Sequence, residues 1–324
     1  MKTIQIITTG GTIGMAIDPK AQGAKPTGFS FIRDNISLFS PYAHVQVDSY
    51  LNIPSPHMTL DHMVNLAQKV THYLKQPDID GVVITHGTDT MEETAYYLQH
   101  VLPKGKPVII TGSMSNQSEA SFDGLQNLVH SVHIATLPES APHGVLVVFQ
   151  NEVHSPIHMT KTYPDRLPFF ESLVVGPIAK RLKADEFEWI VPVLDHPQFP
   201  IQYLTKEVVL FTAYAGMDRS YIDWAISNKK DGIVIQALGF GHLPPAVLPS
   251  IIEAIQSGIP VIITSRCAYS ATGTTYAYEG GGKHLEELGC ILAQGNGQKI
   301  RIFLSMILEQ TTNVTKVKAY FSQK

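Results

Sequence analysis

The segment Gly81-Val82-Val83-Ile84-Thr85-His86-Gly87-Thr88-Asp89-Thr90-Met91-Glu92-Glu93-Thr94 constrains this chain more than any other stretch. Its first five residues form an apolar run that reads as a buried strand. His86 and Gly87 break that run, a hydroxyl and a carboxylate follow side by side at Thr88 and Asp89, and a helix then opens. Thr90 and Glu93 have the spacing of a capping box, which marks the helix start. A polar pair on the turn from a strand's carboxyl end into a helix sits where open α/β sheets bind small ligands.

The beginning of the chain has the same design. Ile4-Gln5-Ile6-Ile7-Thr8 reads as a strand and Thr9-Gly10-Gly11-Thr12-Ile13-Gly14 as the turn after it. Two adjacent glycines permit a tight turn and a close backbone approach. Thr12 then stands at a strand's carboxyl end, as Thr88 does, and the two threonines are expected to share one site.

Strand and helix patterns alternate over the first ~190 residues, as in a mostly parallel sheet. Strands are expected at Thr3–Thr8, His44–Tyr50, Gly81–Thr85, Pro107–Thr111 and Gly144–Phe149. Leu60, Met63, Val64, Ala67, Val70 and Leu74 follow helical spacing. From Val191 to Thr205 the pattern stops among Pro192, Pro197 and Pro200, which reads as an interdomain linker. Alternation resumes with strands at Glu207–Thr212, Gly232–Gln236 and Pro260–Ser265. Helices are expected at Tyr221–Asn228, Ala246–Gln256 and Lys299–Gln310, with a Gly-rich loop at Thr272–Lys283. The expected organisation is an N-terminal α/β domain over residues 1–190, a linker over 191–205 and a C-terminal α/β domain over 206–324.

Composition excludes several classes. At 44% hydrophobic and 16% charged, the 324 residues suit two ordinary globular cores. The net charge of −4 is modest, and no basic patch interleaved with aromatics points to nucleic acid. No apolar run reaches the ~18 residues of a membrane helix. Met1-Lys2-Thr3 leads straight into the first strand with no apolar leader and small-residue cleavage site, so a cytoplasmic location is expected. Cys267 and Cys290 support neither a disulfide framework nor a metal knuckle and read as small core residues. The 14 histidines include no His-Glu-x-x-His, and His86 is read as serving its turn; no metal site is expected.

The polar residues suggest an amide hydrolase that uses no metal. A threonine hydroxyl is a poor nucleophile and needs a base and a polarised electrophile. Lys161, in Met159-Thr160-Lys161-Thr162, can be that base if desolvation or nearby cations favour its amine form. Asp89 can orient Lys161 or pair with a substrate ammonium, and backbone N–H groups of the two turns can stabilise an oxyanion. Taken singly, Thr12 and Thr88 would each be ordinary turn residues.

Three of these segments together, Thr8 to Gly14, Ile84 to Thr94 and Met159 to Thr162, resemble the signature segments of bacterial-type L-asparaginases, in the same order along nearly the full length. The resemblance implies two α/β domains, a larger one with a mostly parallel, flavodoxin-like sheet and a smaller Rossmann-like one. It implies hydrolysis of L-asparagine to aspartate and ammonia without a cofactor. Thr12 matches the usual family nucleophile, and Thr88, Asp89 and Lys161 match a second triad. Ser55 matches the serine that holds the substrate α-carboxylate. Glu279 matches a glutamate that reaches the substrate ammonium from a neighbouring subunit, so a homodimer or homotetramer is expected. Three departures stand out: Pro56 replaces Gln or Glu; Met15–Phe31 contains no tyrosine, leaving Thr27 or Ser30 as substitutes; and His242 replaces a common asparagine. The rivals are a broader amidase or glutaminase, the related ammonia-supplying component of a tRNA amidotransferase, and a non-catalytic amino-acid sensor on the same scaffold. A dinucleotide dehydrogenase is disfavoured, because Gly10 to Gly14 lacks Gly-x-Gly-x-x-Gly spacing.

Overall fold

The computed structural model describes residues 1–183, 186–200, 203–269 and 271–322. The chain divides into two compact units, residues 1–202 and 203–324. Both are α/β.

In the first unit the described residues form one eight-stranded sheet. Five strands are parallel, in the spatial order Ala43–Ile53, Lys2–Gly10, Gly81–Thr85, Val108–Thr111, Val145–Phe149. Numbered along the chain, that order is 2-1-3-4-5. The chain first builds to one side of its opening strand and then crosses to the other. The reversal leaves a crevice between the carboxyl ends of Lys2–Gly10 and Gly81–Thr85. The central strands Gly81–Thr85, Val108–Thr111 and Val145–Phe149 are buried at every residue. Their runs are therefore continuously apolar rather than alternating, as expected for a parallel sheet covered on both faces. Ile4, Ile6, Val83 and Ile109 share one core cluster with Leu128 and Val132 of the helix Gly124–Thr136. Burying each such side chain is worth about 1.5–3 kcal/mol.

Three antiparallel strands, Glu152–His154, Ala179–Lys183 and Glu186–Trp189, extend the sheet beyond the parallel set. Sequence reading missed them because they are short, three to five residues each, and the outer two, Ala179–Lys183 and Glu186–Trp189, are largely exposed and charged. The helix Leu60–Leu74 matches its apolar spacing, and its cap is built by Thr59 and His62, which hydrogen-bond each other's backbone N–H.

Some expectations are corrected. Thr90 does precede the helix Met91–Val101, but its side chain makes no cap hydrogen bond. Its hydroxyl instead donates to the Ser55 carbonyl at 2.9 Å. The side chain is turned to a tertiary acceptor and away from the N–H groups it would cap. Of the two cysteines, Cys290 is buried, and burial pushes its thiol up to about 12, whereas Cys267 is exposed in the loop after Val261–Ser265. Of the proline-rich stretch 191–205, Ile201 and Gln202 lie outside the described residues. Residues 194–199 run along the helix Met91–Val101: Phe199 N–H donates to the His100 carbonyl, and His100 Nδ1 donates to the Pro197 carbonyl at 2.7 Å.

In the second unit the described residues form a four-stranded parallel sheet in sequential order: Val208–Thr212, Gly232–Ala237, Val261–Ser265 and Ile291–Leu292. The first three fall where the alternation places them. The two-residue fourth strand is too short to carry a pattern. The helices Ser220–Ser227, Leu248–Gln256 and Gly297–Gln310 match their expected positions to within a few residues. Residues such as Ile222, Ile233, Ile251 and Ile263 make a core separate from that of the first unit.

Candidate active site

The crevice of the first unit is narrow because glycines line its floor. Gly10 has φ +122°, and a Cβ there would lie 2.1 Å from the Ile53 carbonyl oxygen. A Cβ on Gly11 would lie 2.4 Å from the backbone of Gly87, and one on Gly87 would meet the Ser55 side chain at 2.7 Å. The turns after the two strands and the segment around Ser55 therefore pack backbone against backbone, which no other residue permits.

A cavity of about 230 Å³ opens above this floor. Thr12, Ser55, Thr88, Asp89 and Lys161 all line it. Five residues from four separate parts of the sequence thus converge on one space. Lys161 ends the short strand Met159–Lys161, which pairs antiparallel with Phe170–Ser172. Its ammonium donates to Thr88 Oγ1 at 2.9 Å and to Asp89 Oδ1 at 2.7 Å. The lysine side chain is 17% exposed and the aspartate 57%. Thr88 is buried, so Lys161 is the polar neighbour that its hydroxyl meets on this side.

Thr12 opens a single 3-10 turn, Thr12–Gly14, and its hydroxyl has no hydrogen-bond partner among the described residues. Ser55 is buried; its Oγ accepts from the Asp89 N–H at 3.2 Å. That bond and the one from Thr90 to the Ser55 carbonyl tie the segment after the strand Ala43–Ile53 to the turn that carries Thr88 and Asp89.

Comparison with known proteins identifies the family. Residues 3–192 match the family model "Asparaginase, N-terminal", and residues 207–321 match "Glutaminase/Asparaginase C-terminal domain". The chain belongs to the asparaginase family. It is 33% identical to a probable L-asparaginase of Deinococcus radiodurans, over 99% of this chain and 97% of that one. It superimposes on the crystal structure of a probable cytoplasmic L-asparaginase from Campylobacter jejuni with a TM-score of 0.87 at 27% identity, covering all of both chains. A component of the glutamyl-tRNA(Gln) amidotransferase of Pyrococcus abyssi is 32% identical over 82% of this chain but only 63% of its own length.

Within this asparaginase architecture, other side chains of the cavity were not foreseen. Met15, Met114 and Pro164 line it beside Pro54 and Pro56. Met114 belongs to the loop after Val108–Thr111, which Asp123 organises. Its carboxylate accepts from the Ser113 hydroxyl at 2.6 Å and from the Met114 and Ser115 N–H groups at 3.1 Å. Gln117 on the same loop grips the segment after Thr12. Its side-chain amide donates to the carbonyls of Ile13 at 2.9 Å and Gly28 at 3.1 Å, and its backbone N–H donates to Met15. No spacing rule predicts so distant an amide as the clasp of a loop, which is why the sequence did not show it.

The segment after Thr12 is a hairpin, Met15–Asp18 with Gly23–Pro26. Neither substitute suggested for the absent tyrosine lines the cavity. Thr27 is part of the hairpin base, where its N–H donates to the Gly14 carbonyl, and Ser30 is exposed at the start of the helix Ser30–Asp34. Met15 is the hairpin residue that reaches the cavity.

Glu279 lies in the second unit and is exposed. It sits on the turn Tyr278–Gly281, closed by a Gly281 N–H to Tyr278 carbonyl hydrogen bond of 2.7 Å. Gly280, at φ +81°, presses on the Leu243 carbonyl, and a Cβ there would lie 2.1 Å from that oxygen. His242 packs against Tyr276 and Tyr278 with ring separations of 5.1 and 5.4 Å, and burial lowers its pKa. The residue that replaces the common asparagine is thus an aromatic support for the turn bearing Glu279.

Proposed function

We propose that this chain is an L-asparaginase that hydrolyses the side-chain amide of L-asparagine to L-aspartate and ammonia. The observation that carries the reading is Lys161 Nζ, which joins Thr88 Oγ1 and Asp89 Oδ1 in the cavity that Thr12 and Ser55 also line. In the proposed reaction, Thr12 Oγ attacks the amide carbon. A C–O bond forms, the Thr12 hydroxyl proton passes to the amide nitrogen, and the C–N bond breaks to release ammonia. Water then hydrolyses the resulting ester, which releases aspartate and restores the threonine. Lys161 in its amine form takes the Thr88 proton as Thr88 takes one from the attacking water, and the proton returns to the Thr12 oxygen as the ester breaks; Asp89 orients Lys161 and receives the substrate ammonium, and Ser55 receives the α-carboxylate. Glu279 of a second copy completes the ammonium site, so the working form is a homo-oligomer. The Campylobacter jejuni neighbour supports a cytoplasmic location.

One observation favours a different division of labour. Lys161 touches Thr88, whereas the Thr12 hydroxyl has no such partner among the described residues. On that reading Thr88 carries the acyl group. Mass spectrometry of enzyme trapped with a slowly hydrolysed ester would place the adduct on one threonine or the other.

The deciding experiment measures ammonia release from L-asparagine, D-asparagine and L-glutamine, with Thr12→Ala as the control. Efficient release from L-asparagine alone, lost in the variant, supports the reading. Equal efficiency on glutamine makes the chain a broad amidase. Stoichiometric binding with no release makes it a sensor.

A further inference from the structure

His86 has no part in the reaction outlined above, yet both of its ring nitrogens are engaged. Nδ1 lies 2.8 Å from the Gly87 carbonyl oxygen and Nε2 lies 2.9 Å from Thr94 Oγ1. A carbonyl oxygen only accepts, so the ring proton is on Nδ1. Nε2 is then a lone pair, and the Thr94 hydroxyl donates to it. Both side chains are completely buried. The histidine backbone is fixed as well: its N–H donates to Thr111 at 2.8 Å, and its carbonyl oxygen lies where a Cβ on Gly112 would come within 2.4 Å. Burial holds the imidazole neutral by lowering its pKa to about 4.

This relay fixes a peptide plane. In a trans peptide the carbonyl and the following N–H point in opposite directions. The Gly87 carbonyl is turned inward onto the buried ring, so the Thr88 N–H is turned away from it. Gly87 and Thr88 both line the cavity, and the Thr88 N–H has no acceptor among the described residues. Gly87 has no side chain with which to hold its own orientation.

We propose that His86 is a positioning residue that holds the Gly87–Thr88 peptide so that the Thr88 N–H donates to the carbonyl oxygen of the amide under attack. As the nucleophile adds to the amide carbon, the C=O electron pair moves onto that oxygen, and the fixed N–H stabilises the developing charge; collapse returns the pair and expels ammonia. The Gly87 carbonyl sets the tautomer, and the Thr94 hydroxyl, donating to the bare Nε2, anchors the far side of the ring. The inference rests on the amide-hydrolysis reading, but the grip on Gly87 is measurable without substrate.

The test uses Thr94→Val, which keeps the shape and removes the donor to Nε2, with His86→Met and His86→Gln. Ring ¹⁵N chemical shifts, assigned to His86 by loss of the signal in His86→Gln, should show protonation at Nδ1 in the wild type and also in Thr94→Val, where the Gly87 carbonyl still accepts while Nε2 loses its hydrogen-bond shift. On L-asparagine, Thr94→Val should lower kcat about tenfold and His86→Met about 100-fold, each with KM within about twofold, because an oxyanion donor acts in the transition state. His86→Gln, whose amide can donate to Gly87 and accept from Thr94, should recover most of that loss. An Nε2-protonated ring in the wild type overturns the proposal, as does an unchanged kcat in a folded Thr94→Val. If His86→Met does not fold, Thr94→Val and the ring spectrum decide. A wild type that shows the Nδ1 tautomer but no hydrolysis would refute the oxyanion role and the functional reading, and support only the grip.

Discussion

Replacing Lys161 by methionine separates chemistry from stability more cleanly than any other change in this site. Methionine keeps much of the side-chain volume and removes the charge and the proton acceptor. Two contacts disappear, at 2.9 Å to Thr88 Oγ1 and 2.7 Å to Asp89 Oδ1. Asp89 is 57% exposed and can rehydrate, so the lost ion pair should cost the fold no more than about 1 kcal/mol. The kinetic effect should be far larger. Losing a general base removes about 100- to 10,000-fold in rate, or roughly 3–5 kcal/mol of activation free energy. Ammonia release would be followed at saturating L-asparagine beside urea denaturation of the same sample. The expected result is turnover below about a hundredth of wild type with a nearly unchanged urea midpoint. Lys161→Arg sharpens the test, because arginine keeps a cation beside Asp89 but does not become neutral. It should be as inactive as Lys161→Met. Turnover above about a tenth of wild type in Lys161→Met would show that Lys161 is structural, and recovery in Lys161→Arg would show that its charge matters rather than its basicity.

Further expectations follow from the same geometry. Pro56 lines the cavity without an N–H or a side-chain acceptor, and a hydrogen bond to a charged group is worth ~1.5–3 kcal/mol, so Pro56→Gln should lower KM for asparagine at least about tenfold; an unchanged KM would remove Pro56 from substrate recognition. His86 and His100 are held neutral by burial with pKa values lowered to about 4, so between pH 6.5 and 4 the unfolded chain binds protons that the native chain does not. Stability should be complete above pH 6.5 and fall through that window by up to about 3 kcal/mol per pH unit for the pair; a urea midpoint that holds steady from pH 7 to 5 would contradict this. Subunits carrying Thr12→Ala, mixed and reassembled with subunits carrying Glu279→Ala, should regain about a quarter of wild-type activity, since each mixed dimer holds one intact site. No recovery despite proven exchange would mean that Glu279 does not act across an interface.

The parallel cores of both units were legible in the sequence because a strand buried on both faces must be apolar throughout and is bounded by sharp breaks. Gly81–Thr85 and Val145–Phe149 read correctly for that reason. So did the position of Thr12 and Thr88 at two strand ends, which the paired glycine turns announce. What one dimension does not hold is the company these residues keep. Sheet order is decided by crossovers, and the 2-1-3-4-5 order alone makes neighbours of the turns after Thr8 and Thr85. Thr90 has cap spacing, yet its hydroxyl donates to the Ser55 carbonyl, 35 residues away in sequence, and accepts from no cap N–H. The Gln117 clasp and the Thr94–His86–Gly87 relay are equally invisible to spacing rules. A buried polar group must find a partner wherever packing has placed one, and only the folded chain determines where that is.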